Sequence, residues 1–568
     1  MRIRALCVLL CLAGVAEQRT PAPAAGAGGN GRRGGQLVVA ERSAPRTFNP
    51  VLVTDNPSRT ILDRINADLI HINRKTFKTE PALAASWTPS KDGREYTLKL
   101  RPNLKFSDGH PFTADDVVFT FQVLLDEKVA SPQRDLLIVA GKPIAVTRKD
   151  DLTIVVSLAE PYAVADRLFD GIAMLPKHVL GEAYRQGTLA QQWGVNAPPA
   201  SVVGLGPFRL KELVPGERLV LERNPYYWKR ADKQALPYLD QLVFLVVPSA
   251  DAQWLRFTSG ELDLMSGATA EQFGSLAPGR AAAVDLGPGL EYNFLFFNES
   301  DGQTGALATR QTWFRQEKFR QAVSAAIDRQ AIVKLVYRGR AEPLWGPVTS
   351  GNAAWRNAAI PHPPRSVDRA RALLREAGFT WRDDGTLLDR AGTQVEFNII
   401  VSASRPERKQ MATLIQNDLA GLGIRVTVSP IEFLAYVDRM TRKRDFDACI
   451  NGLVSGDADP NSDVNVWLSS GGLHLWNPGA AKPATPWEAE IDRLMRGQMS
   501  ARAVGERKRM FDQVQALLAE HEPMIFLASP HILVAAKPTL GNFTPAILPH
   551  YALWNVDELY WRAPSGDR

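Results

Sequence analysis

The sequence predicts an α/β protein built from two lobes, and two features of the chain support this prediction. With 568 residues, the chain exceeds what a single hydrophobic core usually holds. Amphipathic helices also alternate with short apolar strands through much of its second half, which is typical of a sheet covered by helices. Hydrophobic residues make up 45% of the chain and charged residues 23%, as in ordinary soluble globular proteins.

Composition and motif searches exclude several classes of function. The net charge of +6 is spread along the chain without a dense Lys/Arg block, so no nucleic-acid partner is expected. The eight histidines lack metal-ligand spacing, and no Cys-x-x-Cys, Gly-x-Ser-x-Gly, His-Glu-x-x-His or P-loop motif occurs. The sequence therefore predicts no cofactor, no metal site and no enzyme. A secreted hydrolase that uses a pair of carboxylates is the alternative that motifs alone leave open.

The amino terminus predicts export. Residues 1–16 combine a short basic start with an apolar run and resemble a secretory signal peptide cut after Ala16. Residues 17–35 are rich in Pro, Ala and Gly and read as a flexible linker. A lipoprotein anchor at Cys7 or Cys11 is the alternative, but each follows a leucine where a small residue is usual. We expect a periplasmic or otherwise extracytoplasmic protein.

The next elements follow from local patterns. Apolar residues alternate up to Leu100, Asp108 and Gly109 predict a turn, and Thr113 is placed to cap a helix. Further along, helices are predicted over 319–336, 366–377 and 408–422, and strands over 36–40, 241–248, 291–298 and 424–428. Cys449, the one cysteine beyond the signal segment, is predicted to be a small buried core residue.

The stretch LRPNLKFSDGHPFTADDVVFTFQ carries a further signal. It resembles the signature of the ABC-importer solute-binding proteins that include the oligopeptide- and dipeptide-binding proteins, known as family 5. The matching positions are Lys105, Phe106, Asp108, Gly109, Pro111, Thr113, Ala114, Asp116 and Val117. The phrases GLGPFRL from Gly204, NPYYW from Asn224 and RQA from Arg320 are similar to the same family, so the resemblance covers nearly all of the chain beyond the signal segment.

The resemblance implies a two-lobe periplasmic-binding-protein fold, type II-like, with an extra subdomain and a hinge of crossing strands. Lobe I would comprise 36–290 with the subdomain at about 81–203, lobe II 291–531, and a return to lobe I 532–568. Function follows as an expectation: the chain would capture a small solute by hinged closure and deliver it to ABC permease subunits in the membrane. Oligopeptides are the leading ligand class, an oligosaccharide or a metal chelate is the alternative, and a monomer is expected.

The family resemblance also points to a ligand loop in lobe II. In peptide-binding members an aspartate of this loop binds the ligand's ammonium group; here the loop runs from Asn451 to Pro460. Asp457 stands three residues before Pro460 where the family pattern has four, and Leu453 stands near the expected tryptophan. We list as candidate ligand-binding residues Asp457, Asp459, Asn461, Arg42, Trp345 and Trp467. A turn capped by Asp459, and tryptophans that merely pack in the core, are the alternatives.

Overall fold

A computed structural model describes residues 33–562 except 140, 481 and 550. The predicted signal peptide, with Cys7 and Cys11, lies outside the described residues, and so does nearly all of the predicted linker. No helix among the described residues combines the length and the apolar character that crossing a membrane requires.

Lobe I contains two four-stranded sheets. One has the order β1-β10-β9-β8, and the other has the order β4-β5-β7-β6 and lies within the segment predicted to form the subdomain. Its longer elements, with two-residue strands and single turns left out, are β1 Gln36–Glu41, α1 Asn56–Ile65, β2 Ile70–Ile72, β3 Thr79–Pro81, β4 Ala84–Pro89, β5 Glu95–Leu100, α2 Ala114–Leu125, β6 Ala145–Asp150, β7 Thr153–Ser157, α3 Lys177–Arg185, β8 Phe208–Val214, β9 Arg218–Arg223, β10 Gln241–Val246, α4 Ala250–Thr258 and α5 Ala270–Gly274.

Lobe II is built on the sheet order β17-β12-β16-β14-β15, with helices on its faces. Its longer elements, together with the strands that lead into and out of it, are β11 Ala282–Pro288, β12 Glu291–Phe297, α6 Gly305–Phe314, α7 Glu317–Ala326, β13 Ala341–Pro343, α8 Val367–Glu376, β14 Glu396–Ser402, α9 Pro406–Ala420, β15 Arg425–Ile431, α10 Phe433–Val437, β16 Ala448–Val454, α11 Val464–Trp467, α12 Pro486–Ser500, α13 Val504–His521 and β17 Met524–Ala536.

Two connections cross between the lobes. β17 pairs with β12 through its first residues, including Phe526, and with β11 through its last residues, including Leu533. β11 and β12 are themselves consecutive in the chain. The largest hydrophobic core gathers residues 37–264 and 534–559, whereas two others gather residues 292–528. Separate cores joined by crossing strands form a hinge, which confirms the predicted two-lobe α/β fold.

Most of the predicted elements are confirmed, and one is wrong. The turn at Gly109 has φ of +92°, and Thr113 caps α2 in a capping box with Asp116. Cys449 is fully buried. The helix predicted over 319–336 is instead interrupted, because α7 ends at Ala326 and Asp328 accepts a hydrogen bond from the N–H of Ala331 to start a new turn. An aspartate inside an apolar stripe can cap a helix as readily as continue it.

The glycines of the GLG segment join the end of α1 to the start of β8. A Cβ atom added at Gly204 would lie 2.2 Å from the carbonyl oxygen of Ile65. A Cβ atom at Gly206 would lie 2.5 Å from the Ile65 carbonyl carbon. Only glycine permits so close an approach, so this segment has a packing role and does not cradle a phosphate.

Candidate ligand-binding cleft

The candidate site lies at one edge of the lobe II sheet. β14 and β16 are parallel and paired, for example at Ile399 and Ala448, so their carboxyl ends lie at the same edge. The loop 455–463 follows directly from Val454, the last residue of β16. Ligands of α/β sheets bind beyond the carboxyl ends of the strands, so this loop occupies the position expected for a ligand site.

Asp457 connects this loop to the opposite lobe. Its two carboxylate oxygens accept from Nε and Nη2 of Arg167, each at 2.5 Å, although the two residues are 290 positions apart. Both side chains are 16% exposed. Burial lowers the pKa of Arg167, but the carboxylate of Asp457 outweighs this effect and the net pKa is raised. The result is a two-pronged ion pair that spans the interface between the lobes.

Neighbouring groups also join the lobes at this point. The backbone N–H of Ala163 donates to the carbonyl oxygen of Met499 at 2.8 Å. Tyr162 contacts Asn461, and burial together with the charge of Asp459 raises the pKa of the Tyr162 hydroxyl to about 12. The segment around Ala163 and Arg167 therefore packs on the loop through backbone, aromatic and charged contacts.

Asp459 has a different partner, on its own lobe. Its oxygens accept from Nη1 and Nη2 of Arg507 at 2.8 and 2.7 Å, and its Oδ1 also accepts from the N–H of Asn461 at 3.0 Å. The Arg507 side chain is 3% exposed and that of Asp459 is 7% exposed. The remaining donor of Arg507, Nε, reaches the carbonyl oxygen of Gln498. Asp459 thus ties the loop to α12 and α13.

Asn461 and Trp467 surround the same loop. The side-chain oxygen of Asn461 accepts from Nε2 of Gln498. Trp467 is buried and stacks on Tyr292 with ring centroids 6.3 Å apart. A small cavity of about 20 Å³ lies between the loop and the hinge, and Asp457, Asp459 and Trp467 are among its lining residues.

The other two predicted residues lie elsewhere. Arg42 is exposed just after the end of β1 in lobe I. Trp345 stacks on His362 with ring centroids 4.5 Å apart and lines a different small cavity of about 10 Å³. The structure therefore brings together Asp457, Asp459, Asn461 and Trp467, and it places Arg42 and Trp345 apart from that group.

Three arginines at this edge were not found from the sequence. They are Arg167, Arg507 and Arg408, the last of which donates to the side-chain oxygens of Asn293 and Asn451 at 3.0 and 3.3 Å. Arg167 and Arg507 leave no local signal, because their partners are distant in the chain. Arg408 does leave one: it belongs to a basic cluster at the first turn of α9, where a positive charge is unfavourable to the helix dipole.

One group of side chains invites a test for a metal site. Among the described residues, Asp68, His71 and Asp170 form a group that could hold a metal ion, because one ligand atom of each lies within 4.8 Å of the others. Their oxygens are already engaged, however: Asp68 Oδ2 accepts from the N–H of Gly171, and Asp170 Oδ1 from the N–H of Ile72. This arrangement suits a hydrogen-bonded network around His71 better than a metal ion.

Two hinged lobes with a charged loop at their interface define the class of two-lobed solute-binding proteins. Residues 78–474, well over half of the chain, match the family described as bacterial extracellular solute-binding proteins, family 5. The chain belongs to this family, which confirms the resemblance inferred from its motifs. The family consists of solute-binding proteins and not of enzymes.

Individual relatives and solved structures agree with this assignment. A probable ABC transporter-binding protein of Deinococcus radiodurans is 29% identical over 534 residues, covering 88% of each chain. The oligopeptide-binding protein AppA of Bacillus subtilis is 27% identical over 550 residues, covering 94% of this chain and 93% of AppA. The structure of that AppA with a nonapeptide gives a TM-score of 0.73 at 26% identity over 94% of this chain and all of AppA. The structure of NikA from Brucella suis with Fe(III)-EDTA gives a TM-score of 0.78 at 23% identity over 93% of this chain and all of NikA. This second similarity concerns the fold alone.

Proposed function

We propose that this protein is the extracytoplasmic receptor of an ABC importer that captures oligopeptides and passes them to a membrane permease. The observation that carries the proposal is Asp457, a carboxylate on the carboxyl edge of the lobe II sheet that faces a charged group of the other lobe. Full-length similarity to the oligopeptide-binding protein AppA supports oligopeptides as the ligand class.

Arg167 gives the proposal a specific mechanism. In a gap that excludes water, a carboxylate needs a cationic partner, because an unpaired buried charge is costly. The guanidinium of Arg167 fills that role for Asp457 in this structure. We infer that the ammonium group of an arriving peptide takes its place on Asp457 and releases Arg167. The peptide then shifts the protein towards the closed form only to the extent that it binds the closed form more tightly than the open form.

The same loop contains a residue that we assign to support. Asp459 uses both oxygens on buried Arg507, so it holds the loop in position instead of contacting a ligand. Trp467 lines the small cavity behind Asp457, and Asn461 accepts a hydrogen bond from Gln498 of α12. On this proposal Arg42 and Trp345 do not contact the part of the ligand that binds Asp457.

Compartment and partners follow from the same proposal. A signal peptide at residues 1–16 would export the chain, and the closed form would dock as a monomer on the permease subunits. A receptor role for a non-peptide solute, such as a chelate, is the second candidate. It is favoured by one observation: Asp457 is displaced by one residue from the family's peptide pattern and is already occupied by Arg167.

Two measurements on the exported protein test the proposal. Native mass spectrometry of the protein as purified identifies any ligand that accompanies it. Calorimetry with peptide, sugar and chelate pools, with the ligands analysed afterwards, separates binding from turnover. We expect stoichiometric binding of peptides and unaltered ligands; tight binding of a chelate alone would favour the second candidate, and product formation would refute a receptor role.

A further inference from the structure

One open cavity does not lie at the interface between the lobes. It is an open cavity of about 160 Å³ inside lobe I, lined by residues between 50 and 229 and between 553 and 557. It lies where the β2–β3 hairpin and the end of α1 meet the carboxyl-terminal segment. Because every lining residue belongs to lobe I, the cavity does not depend on closure of the lobes.

Arg64 distinguishes this cavity from an ordinary packing gap. It lines the cavity from the last turn of α1 and is 3% exposed. Its Nε and Nη2 atoms have no hydrogen-bond acceptor among the described residues. The nearest ion pair, from Nη1 to Asp63 Oδ2, spans 3.9 Å, which is too long for a hydrogen bond.

Two partly exposed cations of the cavity wall already have hydrogen-bonded or ion-pair partners. Arg74 pairs with Asp170 at 2.9 Å, and Lys229 pairs with Asp557 at 3.4 Å. Arg64 differs from both, because its charge faces Asp63 at 3.9 Å while its Nε and Nη2 have no hydrogen-bond acceptor among the described residues. A buried guanidinium without acceptors is costly, and such groups in folded proteins usually indicate a missing ion, water or ligand.

The two free nitrogens also specify a geometry. Nε and Nη2 form the edge of the guanidinium that binds both oxygens of a carboxylate, as Arg167 does with Asp457 through the same two atoms. Acidic residues elsewhere in the wall, including Asp68 and Glu80, disfavour a doubly charged anion such as phosphate. The apolar part of the lining includes Trp228, Leu553 and Trp554.

From these observations we propose a second ligand site, in which the lobe I cavity binds a small monocarboxylate with an apolar body. The carboxylate pairs with the guanidinium of Arg64, whose Nε and Nη2 lie beneath the cavity surface in the ligand-free protein and come within reach when the side chain turns. The apolar body packs among the tryptophan and leucine side chains. The site goes beyond the proposed transport function, because it shares no residue with the loop around Asp457.

Benzoate is the probe for this site, with neutral benzamide and inorganic phosphate as matched controls. Ligand-observed NMR of the whole exported protein measures binding to the wild type, to Arg64→Gln and to Arg59→Gln, which changes an exposed residue of the same cavity. We expect saturable binding of benzoate and at least tenfold weaker binding of benzamide and phosphate. Arg64→Gln should weaken benzoate binding at least tenfold, and Arg59→Gln by less than twofold.

A crystal of the wild-type protein soaked in benzoate provides a readout that does not depend on the variant folding. Density for the probe against Arg64 supports the site; an ordered cavity without the probe overturns it. Equal binding of benzoate and benzamide, or equal binding by Arg64→Gln, also overturns it. Repeating the titration in Asp457→Asn and with excess peptide separates the two sites. If peptide abolishes benzoate binding, benzoate binds in the cleft and the proposal is contradicted. If the protein fails to transport peptides, the proposed lobe I site is unaffected.

Discussion

Asp457 and Asp459 are two residues apart on one loop, yet their ion pairs differ in almost every physical respect. Asp459 pairs with Arg507 within lobe II, and both side chains are nearly inaccessible to solvent. Asp457 pairs with Arg167 across the interface, and both side chains keep some contact with solvent. An ion pair inside one lobe has to hold in every state of the hinge, whereas an ion pair between lobes forms and breaks as the hinge moves. On the proposed function, the first ion pair therefore serves structure and the second is available for ligand binding.

The largest expected effect concerns the pair inside lobe II. Replacing Arg507 by Met leaves the buried Asp459 carboxylate without its partner, which should lower the free energy of unfolding by about 3–5 kcal/mol. Urea denaturation followed by circular dichroism measures the change. Arg493→Met is the matched control, because the Arg493–Glu490 pair is exposed and is expected to contribute about 0.5 kcal/mol or less. A similar loss in both variants would contradict the distinction between the two aspartates.

Ligand affinity should respond to the other aspartate. Asp457→Asn keeps the shape of the side chain but removes its charge, so peptide affinity should fall by more than about tenfold. Calorimetry measures the affinity, and thermal unfolding should change little because this pair is not buried within one lobe. Unchanged peptide affinity in a folded variant would remove Asp457 from the ligand site.

A smaller effect of opposite sign is expected for Arg167. If its guanidinium competes with the ammonium group of the ligand, Arg167→Gln should raise peptide affinity by about fivefold, as expected for a partly exposed pair that contributes about 1 kcal/mol. Small-angle scattering should also report a more open ligand-free protein. Weaker peptide binding by this variant would mean that Arg167 contacts the ligand directly.

The smallest expected effect is a pH dependence within the same loop. Burial raises the pKa of Asp463 to about 6, above the value of an unfolded aspartate. Because the folded state holds the proton more tightly, this group stabilises the fold at low pH, and that contribution is lost as the pH rises from about 4 to about 6. We expect Asp463→Asn to flatten this part of the stability profile by about 1 kcal/mol, measured from urea midpoints at pH 4.5 and 7. If stability depends on pH equally in Asp463→Asn and the wild type, a group other than Asp463 is responsible for this dependence.

These residues also illustrate how far the sequence could predict the site. The loop was placed by its resemblance to the family's ligand loop, from which it departs at Leu453 and Asp457, and its role in binding stays a prediction. The roles of its two aspartates were not separable, because each role depends on a partner that only the folded chain brings near. Arg167 lies in a short 3-10 helix of lobe I, Ala165–Phe169, and Arg507 is one of several charged residues of α13.

The same limit applies to elements and cavities. The strand, turn and capped helix that end in α2 followed from residues adjacent in the chain, and the structure confirms them. The break at Asp328 did not, since the apolar stripe continues through it. Arg64 also gave no signal, because a basic residue in the last turn of a helix is favourable to the helix dipole and looks ordinary until its burial is known.

The central claim, that a ligand's ammonium group replaces Arg167 on Asp457, has a direct test. Calorimetry compares a bound peptide with its N-acetylated twin, first on the wild type and then on Asp457→Asn. The account predicts that acetylation weakens binding to the wild type by more than about tenfold and has little further effect on the variant, because the two changes remove the same interaction. Equal losses on acetylation in both proteins would contradict it.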